Sequence, residues 1–428
     1  MRCWLTLIMG LATLTGFSVS AFARDSSAWI GTWQASPAGL PSTAKLGALT
    51  LPSRSTVKGT VRYRLRISRG GTQIRLRFSN EYGDTPFALT AVTVGLAAAG
   101  LNAAPGSLRK VTFGGKETLI VPAGAPALSD AIALRVADFA DLVVSVYLRD
   151  GMTAFDCGSD TAPTDQAVIE GADATLAEPL STGKCFFTFR PLISAVDVFA
   201  HSPHQVIVAL GDSITDGVVD AQTAERGWPD VLSRRLRGTG ISVVNAGIGG
   251  NRLLESLPGF GASSLSRFDR DVLAVPGLRY IVVLEGINDI RMSGSGGVFG
   301  DTPPVSPESL IGAYRQLAAR AHERGVKLIG ATLTPFGGAR FHTPEREKVR
   351  ASINAWIRAT KELDAMIDFD AALRDPVDRE QLKPDYDSGD HLHPNAAGYR
   401  RMGEMIDLHL FTPVSRSAAV MVPAGARP

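Results

Sequence analysis

The residues of this 428-residue chain best suited to chemistry stand just past short apolar runs. Ser213 follows the run 206–210 inside Gly211-Asp212-Ser213-Ile214-Thr215-Asp216-Gly217. Glycines permit a tight turn there. A serine just past a strand is held at a sheet edge, where its hydroxyl can meet a substrate while its amide faces an oxyanion. The same position suits a helix N-cap, and Asp212 departs from the G-x-S-x-G form. A second run ends in Asn245-Ala246-Gly247-Ile248-Gly249-Gly250-Asn251-Arg252, where Gly250 can lend an amide donor or belong to a plain flexible loop. A third ends in Leu284-Glu285-Gly286-Ile287-Asn288-Asp289, with Asn288 either a carboxamide donor at the same edge or a turn residue.

Toward the C-terminus comes Ser388-Gly389-Asp390-His391-Leu392-His393-Pro394-Asn395. The spacing of Asp390 and His393 lets a carboxylate bond one imidazole nitrogen and leave the other for a serine. A metal turn built on Asp387, Asp390, His391 and His393 is the competing reading. The two histidines are not interchangeable. A side chain adjacent to Asp390 points away from it, whereas one three residues on returns over the same turn. His391 is therefore expected to be structural or solvent-facing.

Together and in this order, these segments resemble the SGNH, or GDSL, hydrolase family over about 205–411. Gly211-Asp212-Ser213 is similar to its first block, Asn245 to Gly250 to its second, Gly286-Ile287-Asn288-Asp289 to its third and Asp390 to His393 to its fifth. The resemblance implies Ser213 as nucleophile, Asp390 and His393 as the rest of a triad, and Gly250 and Asn288 as partners of the Ser213 amide in an oxyanion hole. It implies ester hydrolysis through an acyl-enzyme, with no metal or organic cofactor. The opening Trp29-Ile30-Gly31-Thr32-Trp33-Gln34-Ala35-Ser36-Pro37 resembles the β-rich leader of some secreted members, described as lipases, acylhydrolases or xylan-esterase-like proteins. Segments 253–268 and 292–305, which follow the two oxyanion strands, are polar and glycine-rich, so short acyl groups on carbohydrate or another soluble alcohol are favoured. The alternatives are an acylhydrolase of lipase or lysophospholipase type, an O-acyltransferase, and a carbohydrate-binding module with an inactive site.

Two elements of different period must position these residues. Between 29 and 200 apolar residues alternate: Val61, Tyr63, Leu65 and Ile67 oppose Arg62, Arg64 and Arg66, and after Gly70-Gly71, Ile74, Leu76 and Phe78 oppose Arg75 and Arg77. This predicts a half-buried hairpin with a solvated or acid-paired arginine face, within an all-β sandwich or jelly-roll domain expected to fold on its own. From 205 to 412, continuous apolar strands alternate with helices. That pattern predicts an α/β domain, a three-layer parallel sheet with ligands at the strands' carboxyl ends.

Composition narrows the classes further. With 45% hydrophobic and 20% charged residues and a net charge of +2, the chain can bury a sizeable core and has no cationic excess for nucleic acid. Residues 1–23 carry Arg2, an apolar stretch and Ala21-Phe22-Ala23, a secretory signal pattern predicting a secreted or periplasmic protein without stable membrane insertion after cleavage. Cleavage would remove Cys3 and leave Cys157 and Cys185, an even pair that predicts a disulfide, with free thiols the alternative. The tail 415–428 reads as mobile. The expected partner is a small-molecule or polysaccharide ester.

Overall fold

The computed structural model describes residues 27–39, 45–46, 49–50, 54–156, 166–180, 186–187, 192–202, 204–217, 226–257, 259–295 and 303–411. The leader, Cys157, Cys185, residues 296–302 of the segment 292–305 and the tail lie outside them.

The N-terminal half is built from antiparallel sheets. Its main strands are β1 (Ser27–Gln34), β2 (Arg54–Arg66), β3 (Gln73–Ser79), β4 (Ala91–Leu96), β5 (Arg109–Lys110), β6 (Pro126–Leu128), β7 (Asp141–Asp156), β8 (Gln166–Glu170) and β9 (Ile193–His201). One sheet runs β1-β9-β3-β6 and the other β8-β2-β7-β4-β5. The expected hairpin across Gly70-Gly71 is therefore absent. β2 pairs with β7 and β8, and β3 with β9 and β6. Alternation fixes which face of a strand is buried but says nothing about its neighbour. Val61 and Leu65 on one sheet and Ile74, Leu76 and Phe78 on the other thus enter the same buried cluster.

The arginine face also divides. Arg64 and Arg66 both pair with Asp141, at 2.7 and 2.8 Å, and Arg75 with Asp197 at 2.9 Å. Arg62 is instead fully buried. It donates to Ser145 Oγ at 2.7 Å, to the Leu101 carbonyl at 3.3 Å and to the Ala177 carbonyl at 2.5 Å. Residues 171–180 fold over this part of the sheet, so carbonyls replace water around the guanidinium, and burial lowers its pKa.

The C-terminal half holds a five-stranded sheet of order β11-β10-β12-β13-β14, formed by β10 (Gln205–Gly211), β11 (Ile241–Gly247), β12 (Leu278–Leu284), β13 (Lys327–Ala331) and β14 (Ala365–Ile367). Every pairing is parallel, and the central strands are buried along their length, as continuous apolar runs require. The helices are α1 (Ser213–Asp216), α2 (Trp228–Arg235), α3 (Ser264–Phe268), α4 (Ile287–Met292), α5 (Pro307–Glu323), α6 (Pro344–Ala359), α7 (Phe369–Leu373) and α8 (Ala396–Met405). α2, α7 and α8 pack together as one group, and α3, α4, α5 and α6 as another. Local signals start the long ones: Ser306 caps α5 and Thr343 caps α6, each followed by proline.

The two halves share a core. β1 lies against β11, the Gly31 N–H donates to the Pro276 carbonyl at 2.9 Å, and Ser242 Oγ donates to the Gly31 carbonyl at 2.6 Å. A side chain at Gly277 would stand 2.9 Å from Ile30, and Ile30 belongs to the same buried cluster as Val206 and Val244. Removing either half would expose this surface, which conflicts with independent folding of the β-rich half. Calorimetry of the whole protein should therefore give one cooperative unfolding transition. Two well-separated transitions, each reproduced by an isolated half, would contradict the shared core.

Candidate active site

The carboxyl end of β10 turns sharply into α1. Any side chain at Gly211 would lie 2.2 Å from Thr215 Oγ1 and 2.4 Å from the Leu284 carbonyl, so only glycine fits. The N-cap of α1 is Asp212, whose Oδ1 accepts the Ile214 N–H at 2.9 Å. That assignment leaves the Ser213 hydroxyl free of capping. Ser213 Oγ lies 2.7 Å from His393 Nε2, and His393 Nδ1 lies 2.5 Å from Asp390 Oδ2. Both contacts are satisfied when Nδ1–H donates to the carboxylate and Nε2 accepts the serine proton. Asp390 Oδ1 also accepts the backbone N–H groups of Leu392 and His393 at 3.0 and 2.8 Å. Partial burial raises the Asp390 carboxyl, but the hydrogen bonds and charge from His393 outweigh this and hold it well below the usual carboxylate range.

His391 stands apart. It has φ of +62° and sends Nδ1 to Asp387 Oδ2 at 2.6 Å, while its own N–H reaches Asp387 Oδ1 at 3.0 Å. Each histidine thus serves its own carboxylate. Among the described residues no group of three or more His, Cys, Asp or Glu side chains is arranged to hold a metal ion.

Past the ends of β11 and β12, the two strands that flank β10, lie Gly250 and Asn288. Gly250 has φ of +73°, and a Cβ there would meet the Phe260 ring at 2.1 Å, so both backbone and space demand glycine. Among the described residues its N–H has no hydrogen-bond acceptor. Asn288 is buried near the start of α4. Its Nδ2 donates to the Asn251 carbonyl at 3.0 Å, and its Oδ1 accepts from Arg291 at 3.2 Å. Since arginine only donates, this contact fixes which end of the carboxamide is nitrogen, and one Nδ2 proton remains for a ligand.

The residues that hold this edge were not legible as site residues. Asn251 donates to the carbonyls of Phe260 and Ala262 at 2.7 and 2.8 Å and accepts at Oδ1 from Arg267 Nε and Ser264 Oγ, both at 3.0 Å. Buried Arg267 also donates to the Ala246 carbonyl at 2.6 Å and the Gly211 carbonyl at 3.1 Å, tying together the ends of β11 and β10. The only sequence signal for Arg267 is Asp271 four residues on, which it meets at 3.3 Å. Beneath lie the fully buried carboxyls of Asp212 and Glu285. Burial and mutual repulsion push Glu285 well above its ordinary value, and burial also raises Asp212. Asp289 accepts the Leu253 and Leu254 N–H groups at 2.7 and 2.9 Å, yet burial pushes its carboxyl up to about 7.

Residues 209–401 match the family model of the GDSL-like lipase/acylhydrolase family. No curated protein matches the chain. Among solved structures, a lipolytic protein of the G-D-S-L family from Desulfitobacterium hafniense is 24% identical, with 47% of this chain and 96% of that chain covered and a TM-score of 0.36. An acetylxylan esterase from Geobacillus stearothermophilus is 21% identical over 49% of this chain and 94% of that chain, with a TM-score of 0.36. A hydrolase from the metagenome of Lake Arreo is 20% identical over 49% of this chain and 95% of that chain, with a TM-score of 0.37.

Asp289 generates a pH prediction. A carboxyl raised in the folded state stabilises the fold while protonated, and that contribution is lost as pH rises from its ordinary 3.8 through about 7. Urea unfolding across that window should show stability falling with pH, and Asp289→Asn should flatten the fall. An unchanged slope in the variant would contradict the raised carboxyl.

Proposed function

We propose that this protein is a secreted or periplasmic serine esterase that hydrolyses carboxylic esters through Ser213, His393 and Asp390. The observation that carries the reading is the unbroken hydrogen-bonded line from Ser213 Oγ through both His393 nitrogens to Asp390. As Ser213 Oγ attacks the carbonyl carbon, His393 Nε2 takes the hydroxyl proton, and Asp390 stabilises the imidazolium. The oxyanion is received by the Ser213 and Gly250 N–H groups and the Asn288 carboxamide, each such donor typically worth roughly 3 kcal/mol. Collapse of the tetrahedral intermediate breaks the bond to the alcohol oxygen, which takes the proton back from His393. Water, deprotonated by the same histidine, then attacks the acyl-enzyme and releases the acid and free Ser213.

For the substrate, a short acyl group on carbohydrate or another soluble alcohol fits the glycine- and proline-rich composition of 292–305, the segment after β12. A chain-length series of acyl esters assayed beside acetylated polysaccharides checks this. Turnover should decline beyond short acyl groups, and a rise toward long chains would favour the lipase-type alternative.

Ser213→Ala and His393→Ala should each lower kcat by at least about a thousandfold in folded protein, because the groups act as one unit. His391→Ala, whose partner is Asp387, should stay within about tenfold of wild type. Greater damage from His391→Ala than from His393→Ala would overturn the assignment. Asn288→Ala should cost about a hundredfold or more in kcat, read from steady-state kinetics on a small activated ester.

A further inference from the structure

We infer that the N-terminal β half is a working part of the active site, in which Tyr82 and Ser36 act as positioning residues that hold the oxyanion-side loop from outside. This rests on the reading of Ser213 as nucleophile and deepens it. Tyr82, in the turn after β3, accepts the Ala262 N–H on its hydroxyl at 3.2 Å. The Ala262 carbonyl in turn accepts from Asn251, whose own carbonyl orients Asn288. Phe260, the other carbonyl bonded by Asn251, is the ring that fills the space beside Gly250. A single hydroxyl of the β half therefore reaches both proposed oxyanion donors through one intervening asparagine.

The second grip lies at the end of β1. Ser36 is fully buried and accepts from Arg267 at 3.3 Å, while Gln34 donates to Ser36 Oγ at 3.3 Å and to the Asp271 carbonyl at 2.7 Å. Arg267 is the residue that also bonds Asn251 Oδ1. Between the two grips, Arg270 carries its guanidinium 5.5 Å from the Tyr82 ring centroid and 3.6 Å from Glu81. The β half thus holds Asn251 from two directions, through its amide nitrogen by way of Ala262 and through its oxygen by way of Arg267. Tyr82 is 43% exposed, so loss of its hydroxyl leaves no void in a core.

The test uses the full-length protein, a small activated ester and three variants, Tyr82→Phe, Ser36→Ala and Ser213→Ala. Tyr82→Phe removes one oxygen, and should lower kcat about tenfold with KM within about twofold, since displaced oxyanion donors act on the transition state more than on substrate binding. Hydrogen exchange at the Ala262 amide should accelerate, while the melting temperature stays near wild type. Ser36→Ala should give the same kcat-against-KM split, and it keeps the question open to experiment if Tyr82→Phe does not fold. An inactive Ser213→Ala beside Tyr82→Phe and Ser36→Ala that both keep wild-type kcat would overturn this inference and leave the esterase reading intact. An active Ser213→Ala would overturn the esterase reading, and this inference with it.

Discussion

A buried guanidinium at the junction of strand ends is the constraint on which the site depends. Arg267 gives hydrogen bonds to the carbonyls of Gly211 and Ala246, to Asn251 and to Ser264, and faces Asp271. Burying an arginine is costly unless its donors are satisfied, and once they are, each acceptor is held where the planar fork requires it. The strand ends that carry Ser213 and Gly250 are thereby set relative to each other before any ligand arrives. This is preorganisation in the electrostatic sense, with the cost of ordering met during folding.

The same need for satisfied polar groups explains the carboxyls beneath the site. Asp212 spends one oxygen capping α1, Asp289 spends both on backbone N–H groups, and Glu285 receives Ser264 and Gly286. Burial raises all three, because low polarity disfavours the charged form. Asp390 is shifted the opposite way because, although partial burial raises it, the His393 ring and the backbone N–H groups of Leu392 and His393 that donate to it outweigh that burial.

The β-rich half joins this arrangement through packing as well as polar contacts. Ile30 enters the core of the parallel sheet, and Ser36 and Tyr82 reach Arg267 and the Ala262 N–H beside its carboxyl edge. In the sandwich itself, Arg62 shows the same chemistry as Arg267, a buried guanidinium surrounded by carbonyls that closes a covering segment over a sheet.

What the sequence determined by itself was the local grammar. Continuous apolar strands followed by glycine turns announced a parallel sheet with chemistry at its carboxyl edge, and the spacing of Asp390 and His393 separated the histidine facing Ser213 from the one bonded to Asp387. Alternation in the first half announced strands with one buried face. Tertiary structure alone decided the pairing of β2 and β3 into different sheets, because a period of two fixes a face and leaves the partner open. It alone buried Arg62 and Arg267, since an arginine reads as a solvated cation until other segments supply the carbonyls that replace water. It alone brought Tyr82 beside Ala262, because contacts between residues so far apart in sequence depend on how two sheets dock.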